Sequence, residues 1–367
     1  MKIGYKGVQP QKECTGINRL IKGMLEELVE KKELKAYYLG SDFLGVKKMS
    51  YIPDLYHVSD FENYRKELLA MAKVYDLDVI HSFFYPMGKM TGTGTVLTIH
   101  DLAALADPEW MTSNKIFDFF DKDLRAAVKD VDHIIADSIA TKLDIQDKYE
   151  IEEERISVVY PGLYKESTLV TEDKKNDVRE KYGIKKPYIL SVCTVQPRKN
   201  LKSLLTAFEL CKDRKPSTLQ LVICGASGWR NSDFHQQVSS SKYRDDIIFT
   251  NYVSNEDLDA LYEEALMIAY VSYFEGFGLP VLEGLSKGKA VITSNISSMP
   301  EVGGDAVCYA DPYSVEEIAD AIRRLAEDDL YRERLEKLAL GQASKFSYKK
   351  AAKETIEIYK KVGRLYE

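Results

Sequence analysis

Residues 266–287 read LMIAYVSYFEGFGLPVLEGLSK. The first six form an apolar run of strand length, the next few a loop rich in glycine and phenylalanine. Pro280 then stands where a helix can begin, because a proline in the first turn lacks only an N–H that has no helical partner anyway. KAVIT at 289–293 opens the next apolar run. Strand, loop, short helix and strand make a βαβ unit, which predicts a parallel sheet covered by helices on both faces.

The same grammar extends in both directions. Apolar runs at 188–192, 219–224, 247–249 and 307–309 share this half of the chain with helical stretches at 200–212, 255–264, 280–287 and 315–328. An earlier series has runs at 36–40, 79–83, 95–99, 133–136 and 156–160, between amphipathic stretches at 17–32, 61–74 and 115–130. A polar, lysine-rich interval at 165–186 separates the two series and reads as a linker. Hydrophobic cores divide beyond roughly 250–300 residues. The expectation is therefore α/β with two Rossmann-like domains, 1–168 and 169–345, rather than one large sheet. The stretch 329–363 reads as helical with a turn around Gly341, and 346–367 as a terminal helix.

Composition narrows the function. Asp and Glu number 58 against 51 Lys and Arg, a net charge of −7, which argues against a broadly cationic nucleic-acid binder. The 24 tyrosines and 13 phenylalanines lie in strands and turns, without a basic-aromatic RNA-recognition motif. Cys14, Cys193, Cys211, Cys224 and Cys308 form no CxxC pair and no cluster with histidine, so neither structural zinc nor a disulfide framework is expected, and a reducing compartment is. The chain opens on KIGY without a basic leader, and it has no apolar run of about 18 residues. A cytoplasmic protein is expected. Peripheral contact with the inner face of the cell membrane is left open by the lysine-rich 345–353, whose plain reading is a solvated helix face.

Chemistry-bearing residues gather at the expected carboxyl ends of strands, where open α/β sheets bind ligands. Gly16, in ECTGINRL, allows close backbone approach at a helix start, or is simply a turn. His100 ends TVLTIHDL and is placed to donate to a sugar hydroxyl or a phosphate; the plain alternative is a histidine bonded to a loop carbonyl. His81 has the same placement and a weaker case. In SVCTVQPRKNLKSL, Arg198 and Lys199 precede a helix whose dipole they oppose, so an anion such as a diphosphate at the junction would explain them; an exposed basic turn is the alternative. Glu275 lies in the glycine loop and Glu283 inside the following helix. Amides of Gly276, Phe277 and Gly278 suit hydroxyls or phosphate, Glu275 a sugar hydroxyl, and Glu283 a ribose hydroxyl. Two carboxylates also suit glycoside hydrolysis, but nearby cations favour a leaving group that is already anionic. In SSMPEVGGDAVCYADP, Glu301 comes before Gly303 and Gly304, whose lack of side chains suits a tight loop under the ligand.

FEGFGLPVLEG, with Glu275 and Glu283 eight positions apart in number, together with PRKN and IHDL, resembles the retaining GT-B glycosyltransferases of the family-4 type, which include bacterial mannosyltransferases, sucrose-phosphate synthases and glycogen synthases. The resemblance spans nearly the whole chain. It implies two Rossmann-like domains facing each other across a cleft, with the C-terminal helix crossing back to the first. It assigns Glu275 and His100 to the transferred sugar, Lys199 to the diphosphate and Glu283 to the ribose. Gly16 matches part of the acceptor-side glycine loop; Gly276, Phe277, Gly278 and Leu279 match the donor loop. Thr194 stands where many members carry arginine, which suggests that Arg198 takes over part of that work. HDLAALADPEWM and the HSFFYP region are similar to enzymes that transfer mannose from GDP-mannose to a glycan or lipid-linked acceptor in surface-polysaccharide assembly. UDP-glucose or another nucleotide sugar is the alternative donor, and a non-catalytic nucleotide-sugar-binding protein the alternative function. No DXD-like site stands where a metal on the sugar diphosphate would be expected, so transfer is expected to need neither metal nor other cofactor.

Overall fold

The computed structural model describes residues 1–6, 16–39, 48–52, 61–83, 87–112, 114–163, 170–185 and 187–363. The chain divides into two compact units, Met1–Tyr164 with Phe346–Glu367, and Lys165–Lys345. In the first, β1 (Lys2–Lys6), β2 (Lys35–Leu39), β3 (Ser50–Ile52), β4 (Val79–Ser82), β5 (Gly94–Ile99), β6 (His133–Ala136) and β7 (Ile156–Val158) form one sheet. Its order is β3-β2-β1-β4-β5-β6-β7, with every neighbouring pair parallel. In the second, β8 (Tyr188–Val192), β9 (Gln220–Cys224), β10 (Ile247–Asn251), β11 (Met267–Tyr270), β12 (Val291–Ser294) and β13 (Cys308–Ala310) run β10-β9-β8-β11-β12-β13, again parallel throughout. Both are Rossmann-like sheets. The strand order reverses beside β1 in one and beside β8 in the other, and ligands of open α/β sheets bind at such switch points.

Central strands read as unbroken apolar runs because helices bury both faces: every residue of β4, β5, β9 and β11 is buried. The terminal helix Tyr348–Gly363 belongs to the first unit's core. Its Ala351, Ala352, Ile356, Tyr359 and Val362 pack with Ile3, Tyr5, Ile21, Leu25, Val79 and Val96. Each such large apolar side chain contributes about 1.5–3 kcal/mol when fully buried. Gly23 lets this helix approach, since a Cβ there would lie 2.2 Å from the Tyr348 ring.

Three expectations need correction. The interval read as a linker at 165–186 contains the helix Glu172–Tyr182, capped by Thr171 and closed by Gly183 at φ +70°. It leaves no apolar stripe in the sequence, because its buried residue is the lone Val178, while Arg179 pairs with Glu264 and Lys181 with Asp257 of the second unit. The turn expected at Gly341 lies further on. The helix Asp329–Ala343 runs through that glycine, and the next starts after Ser347, whose Oγ accepts from the Lys350 N–H. The stretch 115–130 is not one helix. Asn114–Asp118 and Arg125–Asp130 flank a π-helical turn at Phe119–Leu124, which hydrophobic periodicity does not distinguish from α. Strand β3 and the helix Ile139–Tyr149 are additions.

Among the described residues, no helix is long and apolar enough to cross a membrane. Lys345 and Lys350, from the lysine-rich segment, bond to Gln342 and pair with Glu354. Cys14 and the segment before Gly16 lie outside the described residues, as do 84–86 of the HSFFYP region.

Candidate functional site

At the second unit's switch point, β8 and β11 are neighbours, and the loops leaving their carboxyl ends carry the charged residues. After β8, Pro197–Lys199 form one 3-10 turn, ended by Asn200 in the left-handed region at φ 56°. Asn200 is buried and its side-chain amide donates to the carbonyls of Val271 and Pro312, tying the turn to the end of β11. This anchor aims Arg198 and Lys199 inward. Arg198 Nη1 donates to Glu275 Oε2 at 2.8 Å and to the Phe274 carbonyl at 2.6 Å. Lys199 Nζ donates to Glu275 Oε1 at 2.6 Å and to the Tyr270 hydroxyl at 2.7 Å.

The chain itself supplies an anion that faces both cations at this helix start, the Glu275 carboxylate. Burial works to raise the Glu275 carboxyl, but Arg198 and Lys199 outweigh it and bring its pKa down to about 2. For Lys199 the balance is reversed: burial and the Arg198 charge hold its ammonium below the ordinary lysine value despite Glu275. The Glu275 contribution to stability is complete above the ordinary glutamate pKa and is lost progressively as pH falls from there through about 2. The Glu275 carboxylate therefore stays ionised across the neutral range.

Downstream, Phe277 is buried. Gly278 has φ +108°, and a Cβ there would lie 2.5 Å from Met299 Cε, so the loop requires glycine at this position. Leu279 and Pro280 open the helix Leu279–Ser286, which carries Glu283; its Oε2 accepts from the Tyr262 hydroxyl at 2.7 Å. Thr194 lies just beyond β8, before a bridge between Val195 and Ser227. The structure thus brings together Arg198, Lys199 and Glu275, adds Tyr270 to them, and gives Glu283 a tyrosine partner of its own.

In the first unit, Ile99 pairs with Ala136, so the next residues, His100 and Asp137, leave adjacent strands side by side. His100 Nδ1 lies 2.7 Å from Asp137 Oδ2. A carboxylate only accepts, so the proton sits on Nδ1, and Nε2 is buried without a hydrogen-bond partner among the described residues. Burial opposes the imidazolium charge, yet Asp137 more than compensates and raises the His100 pKa. Asp137 was not singled out in the sequence; a strand-end acid one register step from a strand-end histidine is the signal that could have found it. A cleft lined by Ile17, His100, Asp101 and Phe120 joins His100 to the helix opened by Gly16. Among the described residues, a Cβ on Gly16 would meet nothing within 4 Å. His81 is structural: buried between the Tyr359 hydroxyl and Thr98 Oγ1, its pKa is pushed by burial down to about 3.

If Asp137 sets the His100 charge, Asp137→Asn lowers the pH at which the ring titrates. Its imidazole C2 proton, followed by NMR with labelled histidine, should shift at lower pH than in the unaltered protein. Because the native pKa is raised, the stability linked to this group is complete below the ordinary histidine pKa and lost as pH rises through the raised value. That fall should shrink in the variant; an unchanged titration would contradict the assignment.

Among the described residues, no group of three His, Cys, Asp or Glu could hold a metal ion.

The glycosyl transferases group 1 model matches residues 174–341, and the glycosyltransferase family 4 model residues 35–166. O-antigen chain mannosyltransferase B of Escherichia coli is 31% identical over 266 residues, covering 72% of this chain and 70% of that protein. The serotype-specific mannosyltransferase WbdA of Escherichia coli is 28% identical over 269 residues; the match covers 72% of this chain but only 33% of WbdA. The crystal structure of HepE from Anabaena with UDP-glucose superposes with a TM-score of 0.76 at 16% identity, covering 98% of this chain and 100% of that one, which speaks to the fold alone. Two Rossmann-like sheets with a returning terminal helix are the GT-B architecture. The chain belongs to the GT-B glycosyltransferases of the family-4 type, which include bacterial mannosyltransferases.

Proposed function

We propose that this chain is a retaining hexosyltransferase that moves mannose from GDP-mannose to a glycan or lipid-linked acceptor in surface-polysaccharide assembly, working in the cytoplasm or at the inner face of the membrane. The observation that carries the reading is the convergence of Arg198 and Lys199 on Glu275 at the switch point of the second sheet. Mannose is favoured by the relatives named mannosyltransferase.

In this reading the diphosphate binds Arg198, Lys199 and the amides of Gly276, Phe277, Gly278 and Leu279. Thr194 lies alongside, and Glu283 takes the ribose. Glu275 and His100 hold hydroxyls of the sugar, and Gly16 lies on the acceptor side. The bond between the anomeric carbon and the phosphate oxygen breaks, and its electron pair leaves with the nucleoside diphosphate. The cations stabilise the charge that develops there, the term that such sites supply most strongly. The acceptor oxygen bonds to the same face of the anomeric carbon, and its proton passes to a phosphate oxygen of the leaving group. No protein base is needed.

The test is a panel of nucleotide sugars read first by thermal stabilisation and then by mass spectrometry of products with candidate acceptors. GDP-mannose should stabilise most and add one hexose, also after exhaustive chelation. Transfer from UDP-glucose instead would replace the donor assignment. Saturable binding without product across the acceptors would indicate a binding protein, and full loss on chelation restored by one divalent ion would reject metal independence.

A further inference from the structure

Four hydroxyls from β12 and the turn after it meet the main chain of the segment that carries Glu275. Thr293 Oγ1 donates to the Tyr270 carbonyl at 2.9 Å and Ser294 Oγ to the Ser272 carbonyl at 2.6 Å. Ser297 Oγ donates to the Glu275 carbonyl at 2.7 Å and accepts from the Glu275 N–H at 3.1 Å. Ser298 Oγ lies 2.9 Å from the Glu275 carbonyl and 2.8 Å from that of Phe277. The first two bonds extend the β11–β12 pairing, which ends at Tyr270 and Thr293. The last two lie past the sheet, where ladder bonds no longer hold the loop.

Ser297 sits at φ 58°, a left-handed conformation that glycine adopts more easily. A glycine there would relax the backbone and remove the hydroxyl that bonds both main-chain groups of Glu275. Ser298 is fully buried, so water does not compete for its hydroxyl. The main chain of residue 275 is thereby held independently of its side chain, whose carboxylate reaches Arg198 and Lys199.

We infer that Ser297 and Ser298 are positioning residues: they clamp the main chain of the Glu275 loop, so that the carboxylate passes between the cation pair and the donor sugar by side-chain rotation alone. The inference rests on the proposed role of Glu275 toward that sugar. A clamp of this kind matters because a misplacement of about 1 Å in a positioned group can cost of order 100-fold in rate.

The test compares affinities for the nucleotide sugar that forms product in the screen and for its free nucleoside diphosphate, GDP-mannose and GDP in the proposed case. Their ratio isolates the hold on the sugar. Glu275→Gln should reduce that ratio about 10-fold. Ser298→Ala and Ser297→Gly, the second of which relaxes the backbone and guards against misfolding, should reduce it as far, with GDP, whose amide contacts share this loop, losing less affinity than the nucleotide sugar. Either serine change should add less than about 2-fold when combined with Glu275→Gln, because neighbours acting through one group are not additive. If Glu275→Gln keeps the original ratio, the role of Glu275 is wrong and the inference falls with it. If Glu275→Gln reduces the ratio but the serine variants do not, or if they weaken GDP by the same factor, the clamp is wrong and the role of Glu275 stands.

Discussion

Glu275→Ala should abolish most transfer and at the same time make the protein depend on bound phosphate for its stability. Removing the carboxylate leaves Arg198 and Lys199, whose side chains are 13% and 11% exposed, without the anion that faces both. Breaking a buried ion pair from one side costs about 3–5 kcal/mol, because the desolvated charge remains. For a unit of this size that corresponds to a fall in Tm of order 10 °C. A nucleoside diphosphate should restore part of the loss, so the rise in Tm on adding GDP should exceed that in the unaltered protein. Transfer should drop about 10²–10³-fold, the usual effect of removing one group that acts on the transition state. Calorimetry with and without GDP, alongside product formation, gives both numbers. Equal GDP shifts in the two proteins would mean that the cation pair is not the phosphate site.

The second large effect is structural. Gly162→Ala should release the terminal helix from the first unit. A Cβ at Gly162 would lie 2.2 Å from the Tyr348 nitrogen and 2.6 Å from the Ser347 carbonyl carbon, both main-chain atoms at the start of that helix. A backbone cannot rotate away as a side chain can, so the helix start must shift. Tyr348, which packs over Gly23, shifts with it, and the seating of Ile356, Tyr359 and Val362 in the core is disturbed. A loss of about 3 kcal/mol or more is expected from overpacking and the contacts that follow. Trypsin should cut at Lys345, Lys349 or Lys350 much faster than in the unaltered chain, and Tm should fall by several degrees. A variant with unchanged Tm and cleavage would show that the junction can yield.

The element order was legible in the chain because strands buried on both faces leave continuous apolar runs, and helices between them leave three- and four-residue spacing. The loop at 272–279 stood out by its glycines and by Glu275 among them. Other features left no such trace. The helix Glu172–Tyr182 hides in a polar stretch because ion pairs, more than an apolar stripe, hold it. The π-helical turn at 119–124 has the composition of an α-helix. Ser297 and Ser298 look like ordinary turn residues until their hydroxyls are seen on the Glu275 main chain.

Residue types and their spacing determined by themselves the two parallel-sheet series and which charged side chains stand at strand ends, since both follow from local patterning along the chain. That Glu275 neutralises Arg198 and Lys199, that Asp137 holds His100, and which side chains seat the terminal helix in the first core were decided only by the tertiary structure. Each of these pairs residues 37 to more than 300 positions apart, as His100 with Asp137 and Thr355 with Met24 illustrate. Strand order and register, rather than any local signal, bring such groups within hydrogen-bond distance.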